Sequence, residues 1–67
     1  MQVVNSSTIE SIDYLDSRHT LVISFKRSGK YEYFNVPKYI YDALITAPSK
    51  GIYLNKYIKG KYIVEKA

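Results

Sequence analysis

Leu21, Ile23 and Phe25 recur at every second position of the run 20–26, T-L-V-I-S-F-K. A period of two puts those side chains on one face of an extended strand and their neighbours on the other. Such a run needs a sheet with one covered face, and the flanking segments must supply the rest of that sheet. Ile12 and Tyr14 give an earlier strand, and the intervening Asp16-Ser17-Arg18-His19 is turn-prone. With that four-residue loop Tyr14 lies opposite Leu21 and Ile12 opposite Ile23, so the apolar faces agree.

The second hairpin turns near Gly29. A two-residue loop, Ser28-Gly29, pairs Phe25 with Glu32 and drives a lone carboxylate into the core, which is costly. A three-residue loop, Arg27-Ser28-Gly29, pairs Phe25 with Tyr31 and Ile23 with Tyr33, and leaves Glu32 opposite Ser24 on the polar face. Gly29 then occupies the left-handed position that such a loop requires. The predicted core face is Ile12, Tyr14, Leu21, Ile23, Phe25, Tyr31 and Tyr33. On the far face Val22 falls opposite Phe34, an apolar patch that invites a partner or a homodimer unless the C-terminal strand covers it.

The period changes after Phe34. Pro37 suits the first turn of a helix, having no N–H to leave unpaired. At 100° per residue Ile40, Leu44 and Ala47 fall together, with Tyr39 and Asp42 on the other side. Pro48 stops this helix, Ser49 caps a second and Gly60 closes it. Helices are thus predicted near 37–47 and 50–59. On the second, Leu54, Tyr57 and Ile58 share one face, and Ile52, Asn55, Lys56 and Lys59 the opposite one. The tail from Lys61 to Glu65 has strand character at the sheet edge. This order predicts an α+β fold: a three-stranded antiparallel meander, two short helices packed on one face, and an extra C-terminal strand.

A chain of 67 residues without cysteine has neither a disulfide nor a thiolate metal site to support its core. Eight tyrosines and two phenylalanines are how so short a chain closes one. The first ten residues lack the charged and apolar stretches of a signal peptide, and no apolar run spans a bilayer. A cytoplasmic location and no membrane association are expected. Net charge is +4, and all of it lies after Ala47, where Lys50, Lys56, Lys59, Lys61 and Lys66 face a single acid, Glu65. Such an excess attracts nucleic acid, although it also serves plain solubility.

Several pieces, taken in order, resemble the KTSC domain, a short module found at the C-terminus of some lysyl-tRNA synthetases and as a stand-alone bacterial or phage protein. The pieces are Ser6-Ser7, Tyr31-Glu32-Tyr33, Val36-Pro37, Ala47-Pro48-Ser49-Lys50-Gly51, Tyr53-Leu54-Asn55 and Ile58. The resemblance covers nearly the whole chain, so residues 1–67 read as a single domain of this type. It implies a non-catalytic module with a role in RNA binding.

Catalysis has little to stand on. The single histidine, His19, falls in a hairpin turn, where no oriented partner or dry pocket is expected. The six acids are scattered and the glycines form no phosphate-cradling run. No catalytic residue, metal or cofactor is expected. Tyr31 and Tyr33 have two readings, a base-stacking platform or structural core, and the register favours core. The better surface is the second helix. Lys50, Lys56, Lys59 and Lys61 supply charge, Asn55 hydrogen bonds, and Tyr53 a stacking ring, while Ser49 and Gly51 at the helix start form a phosphate site. The bland reading of this surface is a solvated lysine face. The leading expectation is therefore a nucleic-acid-binding module, RNA above all. A protein-interaction module acting through the sheet face or edge is the alternative. Small-nucleotide capture near Ser49-Lys50-Gly51 is a third.

Overall fold

The computed structural model describes residues 2–3 and 8–67; Ser6-Ser7 lie outside them. Among the described residues, five strands form one antiparallel sheet in chain order: β1 (Gln2–Val3), β2 (Ile9–Leu15), β3 (Thr20–Phe25), β4 (Gly29–Tyr33) and β5 (Val64–Lys66). Between β4 and β5 run α1 (Lys38–Thr46), α2 (Lys50–Tyr53) and a π-helical turn, Leu54–Ile58. The expected meander, helices and C-terminal edge strand are all present. The two-residue β1 is an addition, beyond the reach of a periodicity argument.

The first hairpin has the expected register, Tyr14 opposite Leu21 and Ile12 opposite Ile23. A short 3₁₀ turn, Asp16–Arg18, makes the connection, and His19 closes it in the left-handed conformation. His19 is an exposed turn residue whose carbonyl accepts the Val36 N–H at 2.8 Å. A bulge between Ile9 and Ser11 resets the alternation, so Ile9 and Ile12 are both buried in one core.

The second hairpin differs from expectation by two residues. Phe25 lies opposite Gly29, Ile23 opposite Tyr31 and Leu21 opposite Tyr33, so the three loop residues are Lys26, Arg27 and Ser28. Gly29 still takes the left-handed conformation, at φ +91°. A slip of two leaves every side chain on its original face, so the hydrophobic pattern does not distinguish the two registers. All seven residues of the predicted core face accordingly lie in the core or pack against it. The far face changes neighbours. Val22 pairs with Glu32 and Asp13, not Phe34, and is nearly buried. Phe34 lies beyond β4, half-buried, its N–H donating to the Ile63 carbonyl. The Val22/Phe34 patch is not formed.

Leu44 from α1 and Leu54 and Ile58 from the second helical segment complete the core. Lys59 N–H bonds the Leu54 carbonyl at 2.8 Å, an i to i+5 bond that widens the last turn. Leu54 and Ile58 stay aligned inward, but the wider turn carries Tyr57 off their face, and it is 44% exposed rather than core. Gly60 then reverses the chain at φ +77°.

The loop before α1 is held by Tyr14. Its hydroxyl donates to the Val36 carbonyl at 2.6 Å in the interior, and its ring stacks on Tyr41 at 5.3 Å. Burial, with Asp16 next in weight, pushes the phenol pKa up, so the proton is held. Tyr14→Phe leaves that carbonyl without its partner and is expected to cost about 1–3 kcal/mol. Urea denaturation measures it, and an unchanged midpoint would show that the bond contributes nothing net.

Candidate nucleic-acid interface

Among the described residues, two open surfaces carry both aromatic rings and lysines. The first runs along the helical segment. Tyr53 and Tyr57, one turn apart, bring their rings to 4.6 Å, and the Lys56 ammonium stands 5.3 Å from the Tyr57 centroid. Ala47, Pro48, Ser49 and Ile52 continue this groove. Tyr53 is half-buried, and burial followed by Tyr57 raises its pKa. Tyr57 and Ile52 are the open parts, Ile52 being 68% exposed.

The second surface is a cleft of about 360 Å³ at the open end of the helix-covered sheet face. Phe25, Tyr31 and Tyr33 form its floor, with Val64 and the Lys59-Gly60 turn on its sides. Its origin is the hairpin register. Gly29 lies directly across from Phe25 and contributes no side chain, so β4 places no cross-strand side chain against that ring. Tyr31, the diagonal neighbour, meets Phe25 edge-on at 5.6 Å. Tyr33 is buried beneath the helices, at 5% exposure, whereas Tyr31 is only half-buried at the lip. Burial, and Tyr31 after it, raises the Tyr33 pKa. The two tyrosines read from sequence as a pair therefore divide, one into the core and one to its edge. Lys59 Nζ lies 5.8 Å from the Phe25 centroid.

The residues singled out by sequence are thus distributed rather than gathered. Lys56 and Lys59 are both exposed but reach different rings on the two surfaces. Asn55 and Lys61 are exposed. Ser49 caps α2, its Oγ accepting the Ile52 N–H at 3.4 Å, and Lys50 Nζ donates to the Ala47 carbonyl at 2.9 Å. Those polar atoms serve the helix start, and Gly51 sits within α2. Tyr57, Phe25 and Tyr31 are ring surfaces that the sequence argument assigned to the core. The π turn and the glycine opposite Phe25 expose them, and neither leaves a periodic signal. Among the described residues no group of three or more acids and histidines is placed to hold a metal, and no helix is long and apolar enough to cross a membrane.

The KTSC domain family matches residues 5–62. A lysine–tRNA ligase of Nostoc punctiforme is 44% identical over 59 residues, which are 88% of this chain but only 10% of the ligase. A protein of Tsukamurella paurometabola is 34% identical over 62 residues, 92% of each chain. The crystal structure of a KTSC domain protein from Yersinia pestis superposes with a TM-score of 0.96 at 38% identity, covering 98% of this chain and 93% of that one. The family match spans nearly the whole chain, including the buried Tyr33, Val36, Leu54 and Ile58, and the chain belongs to the KTSC domain family.

Proposed function

We propose that this domain is a small non-catalytic RNA-binding module that uses the basic helical segment and its flanks. One observation carries the reading: two lysines of a single segment, Lys56 and Lys59, each stand over an open aromatic ring. Ammonium groups beside ring faces supply both halves of single-strand recognition, charge for phosphate and a flat surface for unpaired bases. The similarity to a segment of lysine–tRNA ligases supports the same direction. Lys50, Lys61 and Asn55 then act as flanking contacts.

Titration of labelled single-stranded RNA, single-stranded DNA and duplex at several salt concentrations tests the proposal. Binding to single strands is expected to exceed binding to duplex and to fall steeply as salt rises, because neutralised phosphates release counterions. No binding at low salt would sink it. A protein-interaction module is the second reading, favoured by Ile52 and Tyr39, both about 70% exposed, and by Ile63 beside the edge strand β5.

A further inference from the structure

We infer that the cleft beside Phe25 is a pocket for one unpaired nucleotide, with the base against Tyr31 and its phosphate between Lys59 and Lys66. The inference deepens the RNA-binding reading and rests on it for the source of the nucleotide, but the pocket stands on its own geometry. Its volume, about 360 Å³, sits at the small end of the roughly 300–1,000 Å³ usual for ligand sites. That suits one planar group with a short polar extension. Tyr31 and Phe25 meet at 72°, so two ring surfaces form a corner, and a flat base stacked on one meets the edge of the other.

The charges around the corner select the rest of the ligand. Lys59 lies over Phe25 rather than against a carboxylate. Lys66 is the cross-strand partner of Tyr31 and shares its face, and its Cε lies 3.7 Å from where a Cβ on Gly29 would stand. Lys59 thus lines the cleft beside Ser28, and the Lys66 stem reaches Gly29 at the mouth of the same hairpin, within a side chain's reach of the aromatic floor. An uncharged aromatic leaves both lysines unused, and a bare phosphate leaves both rings unused. A base joined to a phosphate uses all four. Tyr33 also lines the cleft, and its hydroxyl, with no hydrogen bond to another described residue, can serve as a donor to the ligand. Free nucleotides and an RNA chain both present this chemistry.

Amide-resolved NMR titration of the intact protein separates the sources. The probes are the four nucleoside 5′-monophosphates, the uncharged nucleosides, ribose 5-phosphate, inorganic phosphate and a short single-stranded RNA. Nucleoside monophosphates are expected to shift the amides of Phe25, Tyr31, Lys59 and Gly60. Nucleosides and ribose 5-phosphate should each bind at least about tenfold more weakly. Lys59→Gln with Lys66→Gln, both surface changes, should weaken the monophosphate by about tenfold or more. Tyr31→Leu, which keeps apolar bulk but removes the ring, should do the same, with an unchanged far-ultraviolet spectrum showing that the fold survives. RNA that shifts only the Lys56-Tyr57 surface, with no mononucleotide effect at the cleft, would overturn the pocket and leave the RNA reading intact. Equal binding of ribose 5-phosphate and nucleotide would overturn it as well. Mononucleotide bound in the cleft without any binding of the RNA strand would uphold the pocket and overturn the RNA reading.

Discussion

Tyr33→Ala is expected to cost about 3–5 kcal/mol, the usual loss when a buried large aromatic is truncated. Tyr33 lies in the main core with Leu21 opposite it on β3 and Val64 opposite it on β5. Removing the ring opens a cavity where the helices meet the sheet, and that cavity joins the existing cleft, so water can fill it. At about 0.05–0.15 kcal/mol per residue, a chain of 67 residues holds about 3–10 kcal/mol in all. The variant should therefore be partly or wholly unfolded at 37 °C. Tyr33→Phe is the control. The hydroxyl makes no hydrogen bond to a described residue, so its removal should leave the melting curve close to the parent's. Thermal and urea denaturation of the three proteins decide the matter. A folded Tyr33→Ala with an unshifted midpoint would mean that Tyr33 is not core, despite its burial.

Lys56→Glu combined with Lys59→Glu should abolish RNA binding while the protein still folds. The double change shifts net charge by four units within one helical turn, and phosphate affinity responds to each cation lost. Both residues are exposed and neither belongs to the buried core. What the fold loses is two lysine–ring contacts, each about 0.5–1 kcal/mol at exposed sites. The single variants add a finer reading, because the two lysines serve different rings. Lys56→Glu should weaken contacts at Tyr57 and leave the cleft unaltered, and Lys59→Glu should do the reverse. Gel-shift or anisotropy titration at two salt concentrations measures all three proteins beside the parent. Unchanged affinity in the double variant would remove the basic helical segment from the binding surface.

Those predictions differ in how much of them the sequence carries. The burial of Tyr33 follows from the period-two alternation of Leu21, Ile23 and Phe25 together with Gly29, and it survives an error of two residues in the register. It does so because a strand has only two faces, and any even slip returns each side chain to the same one. The cleft does not survive that error. In the expected register Tyr31 stands across from Phe25 and fills the space; in the folded protein Gly29 stands there and leaves it open. One pairing offset thus decides whether the site exists.

The helical half divides in the same way. Pro37, Ser49 and Gly60 mark their boundaries through local chemistry: a fixed φ, a side-chain oxygen for the helix start and a residue free to turn left-handed. Ile40, Leu44, Leu54 and Ile58 face inward because a helical repeat aligns residues four apart. Tyr57 does not follow, since one i to i+5 bond at Lys59 enlarges the turn beneath it. Patterning along the chain therefore determined the element types, their order, their caps and nearly all of the core, because those depend on neighbours within a few residues. Packing between elements decided the β3–β4 offset, the π turn and the division of Lys56 from Lys59. Each of those alternatives buries much the same apolar side chains, so local pattern does not separate them, and only contacts between distant segments do.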